Sequence, residues 1–139
     1  AEPANAGLRF ELGYAYLQPI INGEATGPDA GTWAVKSDTA FDQTLALDDH
    51  HWDARFNKAV ALSFWPAIMG KQQAAISQFE TLVSQQSALP QRSEFAQTYL
   101  FLGNLYEQTG QAERAREVWS KGLGLFPGDE QLLQRMTPR

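Results

Sequence analysis

The apolar residues of this chain recur at helical spacing and nowhere alternate long enough to define a strand. Trp52, Phe56, Ala59, Val60 and Ser63 fall at offsets 0, 4, 7, 8 and 11, which is one face of a helix. Ala75, Phe79, Leu82 and Val83 repeat the spacing, as do Ala115, Trp119, Gly122, Leu123 and Phe126. Breakers fall between these blocks: Pro66 to Gly70, Ala88-Leu89-Pro90, Gly110, and Pro127-Gly128. The pattern predicts an all-α chain of helices joined by turns.

Helix pairs in series call for a search for internal repeats. Tyr99-x2-Leu102-Gly103-x2-Tyr106, then Gly110, Ala115-x3-Trp119 and Pro127, place small and large residues at fixed offsets. Gly103 and Ala115 are small where two helices would cross closely, and Tyr106 and Trp119 would fill the holes beside them. Gly110 suits the left-handed residue of a tight turn, and Pro127 ends the second helix. With tyrosine for tryptophan at its start, this stretch, 96–129, resembles a tetratricopeptide repeat.

Earlier segments match less closely. Leu12-Gly13-x2-Tyr16 copies the start of the motif, and Ala40-Phe41 through Leu47 looks like the end of a second helix. Between them QPIINGEATGPDAG, residues 18–31, is expected to be a long inserted loop. It is glycine-rich but lacks the GK[ST] ending of a phosphate loop. The middle repeat takes Asn57, Ala59 and Leu62 on one helix and Gly70, Ala75, Phe79 and Leu82 on the next. It departs from the pattern at Lys58, where a leucine is expected. FWPAIM, residues 64–69, is expected to supply core for an extra turn. The small residues Gly13, Ala59 and Gly103 are 46 and 44 residues apart, against about 34 in the family pattern.

The resemblance implies a single domain over 1–139, a right-handed α-solenoid of antiparallel helix pairs. Its repeats would cover about 6–49, 52–86 and 96–129, with a capping helix over 129–136. Asp129 is the natural N-cap of that last helix, and Leu132, Leu133 and Met136 would cover the final repeat.

Composition narrows the function. With 139 residues, 43% hydrophobic and 19% charged, the chain is long and apolar enough for a real core. A net charge of −5 without any basic run argues against nucleic acid and anionic lipid as partners. No apolar stretch is long enough to predict membrane insertion. The absence of cysteine removes disulfides, thiolate metal sites and cysteine nucleophiles. The start AEPANA, lacking methionine, reads either as a mature exported end of the periplasmic kind, favoured over a cytoplasmic one, or as a piece cut from a longer chain, which would look the same.

Both histidines of the chain sit in DDHHWD, residues 48–53. A metal or acid–base site would need convergent ligands, but His50 and His51 are adjacent, so their side chains diverge. The stretch is expected to be the joint between repeats, with Asp49 or His50 capping the helix that starts near Trp52 and Asp53 in its first turn. No GxSxG surrounds any serine. No catalysis, metal or other cofactor is expected.

What the resemblance leaves is a concave face lined by the first helix of each repeat. Its positions are Phe10, Tyr14 and Leu17, then Asp53, Phe56, Val60 and Ser63, then Gln97, Leu100, Asn104 and Glu107. Phe56 and Leu100 are the most inclined to pack between helices instead, and Arg9 and Arg55 are expected at the groove's side. Without the basic clamp that some members of the family use for a terminal carboxylate, the lining suits an apolar or amphipathic protein segment or peptide. The expected function is a non-catalytic protein- or peptide-binding scaffold. The alternatives are a self-associating assembly module and, last, a metal-assisted site at His50 and His51.

Overall fold

The computed structural model describes residues 3–137, so Ala1 and Glu2, part of the AEPANA start, lie outside the described residues. The described residues form helices and connecting turns, with no strand among them: α1 (Pro3–Ile21), α2 (Gly27–Leu47), α3 (Trp52–Ser63), α4 (Gln72–Gln86), α5 (Ala96–Gln108), α6 (Ala112–Leu125) and α7 (Glu130–Met136). The protein is all-α, as the periodicity predicts. It divides into two compact units, the first ending at Ala61 and the second beginning at Leu62.

In the first unit α1 and α2 form a close pair because Gly13 has no side chain. A β-carbon there would stand 2.7 Å from Cε1 of Phe41. Phe41, Leu17 and Ala54 form the core, with Phe10, Ile20 and Leu45 against it. The inserted loop expected over 18–31 does not exist. Pro19 is tolerated in the last turn of α1, and Gly27 and Pro28 open α2 directly behind Thr26. Only residues 22–26 connect them. Gly23, at φ 75°, reverses the chain, and the Ala25 amide donates to the Pro19 carbonyl at 2.9 Å. Ile20 joins the core, while Ile21 stays exposed.

α3 lies against α2 through a polar contact. The Lys58 ammonium donates to Asp38 at 2.6 Å and lies 2.8 Å from Asp42. The two aspartates are one helical turn apart on α2, so both reach the same cation. This is how the chain accommodates a lysine at a position with 9% exposure.

In the second unit α5 is the central helix. Its early residues meet late residues of α6, so the two run antiparallel: Tyr99 lies over Gly122, and Trp119 lies over Gly103. On another side α5 meets α4 through Phe101, stacked on Phe79 with ring centroids 5.8 Å apart. Buried Gln86 of α4 joins the same contact, accepting from the Thr98 hydroxyl at 2.9 Å and donating to the Phe95 carbonyl at 3.1 Å. Both ends of its amide are thus bonded, as burial requires. Gly110 takes φ 80° in the α5–α6 turn. α7 packs on α6 through fully buried Leu132 and is capped by Asp129, whose carboxylate accepts the Leu132 amide at 3.0 Å.

The segment 64–69 is surface, not the core expected of it. Phe64 is 75% exposed, Ile68 94% and Met69 51%. α3 ends at Ser63, and Pro66 then sets an extended entry into a single 3-10 turn that Gly70 closes at φ 68°. With no helix around them, these side chains have no face to turn inward.

Candidate functional site

DDHHWD is built as a helix entrance. His51 caps α3: its Nδ1 accepts the Ala54 amide at 3.1 Å. The Asp48 carboxylate accepts the His50 amide at 3.1 Å, and Arg55 donates to Asp49 at 2.7 Å. The His51 ring also packs 5.1 Å from Phe10. An imidazole nitrogen that accepts a backbone N–H is not offered to a metal at the same time. Among the described residues no group of three or more histidines and carboxylates could hold one. Arg55, expected at the side of a groove, is buried at 7% exposure beside Asp49.

The expected binding positions of the first unit occupy different environments. Phe10 is half-buried, its ring 6.1 Å from Tyr14 and 5.9 Å from Phe41. Tyr14 is 46% exposed, whereas Leu17 is buried in the core. On α3, Asp53 is exposed and Val60 half-buried, while Phe56 stacks on Trp52 at 4.7 Å and 10°. Tyr14 and Asp53 are the members of this set most open to solvent, and Phe10 bridges the core to Tyr14.

In the second unit the four expected positions share one side of α5. Tyr99 and Gly103 face α6, and Thr98 and Phe101 face α4. At about 100° per residue, Gln97, Leu100, Asn104 and Glu107 occupy the remaining third of the helix. Gln97 and Glu107 are exposed, Asn104 is half-buried and Leu100 is buried. The side-chain oxygen of Asn104 is buried without a hydrogen-bond partner among the described residues, an exception of the kind that marks strain or a missing donor.

Two ionisable groups have strongly shaped surroundings. Burial pulls the Lys58 pKa down, but the hydrogen bonds and charges of Asp38 and Asp42 outweigh it, so the net shift is upward. Burial and the bond to Glu80 push the Tyr106 hydroxyl up to about 12. Both hold helices together: α3 to α2 and α5 to α4. Sequence reasoning missed the first set. Its signal was an out-of-pattern Lys58 together with aspartates spaced by four on the preceding helix.

No protein-family model matches the chain, and a search of curated proteins finds no significant match. Among the described residues no helix is long and apolar enough to cross a membrane.

Proposed function

We propose that the chain is a non-catalytic protein- or peptide-binding scaffold, with helix pairs of the tetratricopeptide kind arranged as a right-handed solenoid. The observation that carries the reading is the third side of α5, where Gln97, Asn104 and Glu107 lie clear of the sides given to α4 and α6. A peptide lying along that side would meet two amides and a carboxylate, and rotation of the Asn104 amide would bring its unbonded oxygen to a peptide N–H. The close Gly103–Trp119 and Gly122–Tyr99 crossings support the resemblance in the third repeat, because they put the family's small and large residues in contact.

Selection of a random peptide display library on the native chain tests the proposal. The counter-target is Gln97→Ala/Asn104→Ala, checked to melt like the native chain. Peptides that bind the native chain and lose about tenfold or more in affinity for the variant, roughly 1.4 kcal/mol, support the α5 surface. Failure to enrich any peptide, or peptides indifferent to the variant, would refute it.

A second reading, self-association, is favoured by exposed Phe64, Ile68 and Met69. It expects a mass that rises with concentration in sedimentation equilibrium and falls back in Phe64→Ser/Ile68→Ser.

A further inference from the structure

The second unit contains a cleft of about 470 Å³ where α7 crosses the α5–α6 pair. Its walls are Glu107 of α5, Arg116 and Trp119 of α6, and Gln134, Arg135 and Met136 at the end of α7. On a chain of net charge −5, two guanidiniums against one carboxylate make this lining locally positive by one charge. None of the ion pairs among the described residues uses either arginine. Arg135 lies over the Trp119 ring, 5.7 Å from its centroid, a cation–π contact that places the guanidinium at the cleft wall. Trp119 itself is fixed: it is 3% exposed and its indole N–H donates to the Leu100 carbonyl at 3.3 Å. Thr137, also in the lining, has its hydroxyl committed to the Leu133 carbonyl at 2.6 Å, which leaves Gln134 as the neutral donor.

We infer that this cleft binds a small organic monocarboxylate with an apolar body. The size is that of a small-ligand site. One net positive charge matches a single carboxylate, which the planar fork of an arginine receives in two parallel hydrogen bonds. Glu107 opposes a dianion such as phosphate, because a second negative charge would face a carboxylate without a cation to match it. Half-buried Met136 offers apolar surface to the rest of the ligand. The site shares Glu107 with the proposed α5 surface but uses neither Gln97 nor Asn104, and it does not depend on the peptide-binding reading.

The test is a titration of the full chain with benzoate, followed by the indole N–H and backbone amide signals of Trp119 and α7 in nitrogen–proton correlation spectra. Benzamide has the same shape without the charge, and inorganic phosphate at matched ionic strength has charge without the apolar body. The expected result is a saturable shift with benzoate and none with either control. Arg116→Gln, at an exposed position, should weaken binding about tenfold or more, and Arg135→Gln likewise. Lys121→Gln, on the same helix but outside the cleft, should leave the affinity unchanged. The inference is overturned by an absent or non-saturating response, by an equal response to benzamide or phosphate, by full affinity in Arg116→Gln, or by an equal loss in Lys121→Gln.

Discussion

Trp119 lies directly across Gly103, with its indole N–H bonded to the Leu100 carbonyl one turn earlier on α5. The ring occupies the space where any side chain at 103 would begin. It cannot withdraw, because the ring is buried, hydrogen-bonded and covered by Arg135 on its other side.

Gly103→Ala is therefore expected to destabilise the protein by about 1–3 kcal/mol through overpacking, even though alanine is the better helix former. Gly122→Ala, whose β-carbon would stand 2.6 Å from Cβ of Tyr99, should behave alike. Gly124→Ala in the same helix meets nothing within 4 Å and should be neutral or stabilising, by up to about 1 kcal/mol. Urea unfolding of the three variants separates packing from propensity. Equal effects at 103 and 124 would contradict the close crossing.

At Lys58, truncation and apolar replacement should differ. Lys58→Ala loses packing and the bonds to Asp38 and Asp42, and should cost about 1–2 kcal/mol, discounted because both carboxylates keep contact with water. Lys58→Leu fills the same buried position without desolvating a charge, and should lie within about 1 kcal/mol of the native chain. Chemical denaturation of the pair decides it. A leucine variant as unstable as the alanine one would mean that the ion pairs, not the volume, hold α3 to α2.

The same groups set an alkaline limit. Both Lys58 and Tyr106 have folded pKa values above their ordinary values of 10.5 and 10.0. Each binds its proton more tightly when folded, so its contribution is fully present below the unfolded value and is lost as pH rises towards the folded one. Stability should hold from neutral pH to about pH 10 and then fall, with the Tyr106 share lost between 10.0 and about 12. Tyr106→Phe should flatten that part of the curve, and Lys58→Leu the part above 10.5. If both variants follow the native alkaline profile, neither group is responsible.

His51 and His50 make a paired control. His51→Ala should lower stability by about 1 kcal/mol through loss of the α3 cap, and His51→Asn should recover most of it. His50→Ala should do nothing measurable. Thermal melts with and without added zinc complete the comparison. A zinc-dependent rise in melting temperature that vanishes in either alanine variant would revive the metal site.

How much of this was legible in the chain differs from element to element. The α5–α6 pair was readable because its code is local: Gly103, Ala115, Trp119 and Gly110 sit at offsets that only a close crossing and a tight turn require. Asp129 was readable for the same reason, as a cap bonds within its own first turn. The expected loop at 18–31 rested on its being an insertion relative to the repeat pattern, whereas those residues lengthen the two helices: α1 runs on through Pro19 to Ile21, and Pro28 sits in the first turn of α2, where proline is favoured. Of the expected binding positions, the four on α5 share one side because a helix's own period dictates it. Leu17 went to the core with Phe41, a partner that no local pattern names.

By itself, then, the order of residues determined the helical class, the tight turn at Gly110 and the small-against-large crossings, all set by contacts or periods within a few turns of chain. Only the tertiary structure decided that Lys58 would be buried between Asp38 and Asp42, that the His51 ring would pack against Phe10, and that Arg116 and Arg135 would line one cleft with Trp119. These groups are brought together by how helices pack. Packing follows from the fit of whole faces, which the spacing of residues along one helix does not contain.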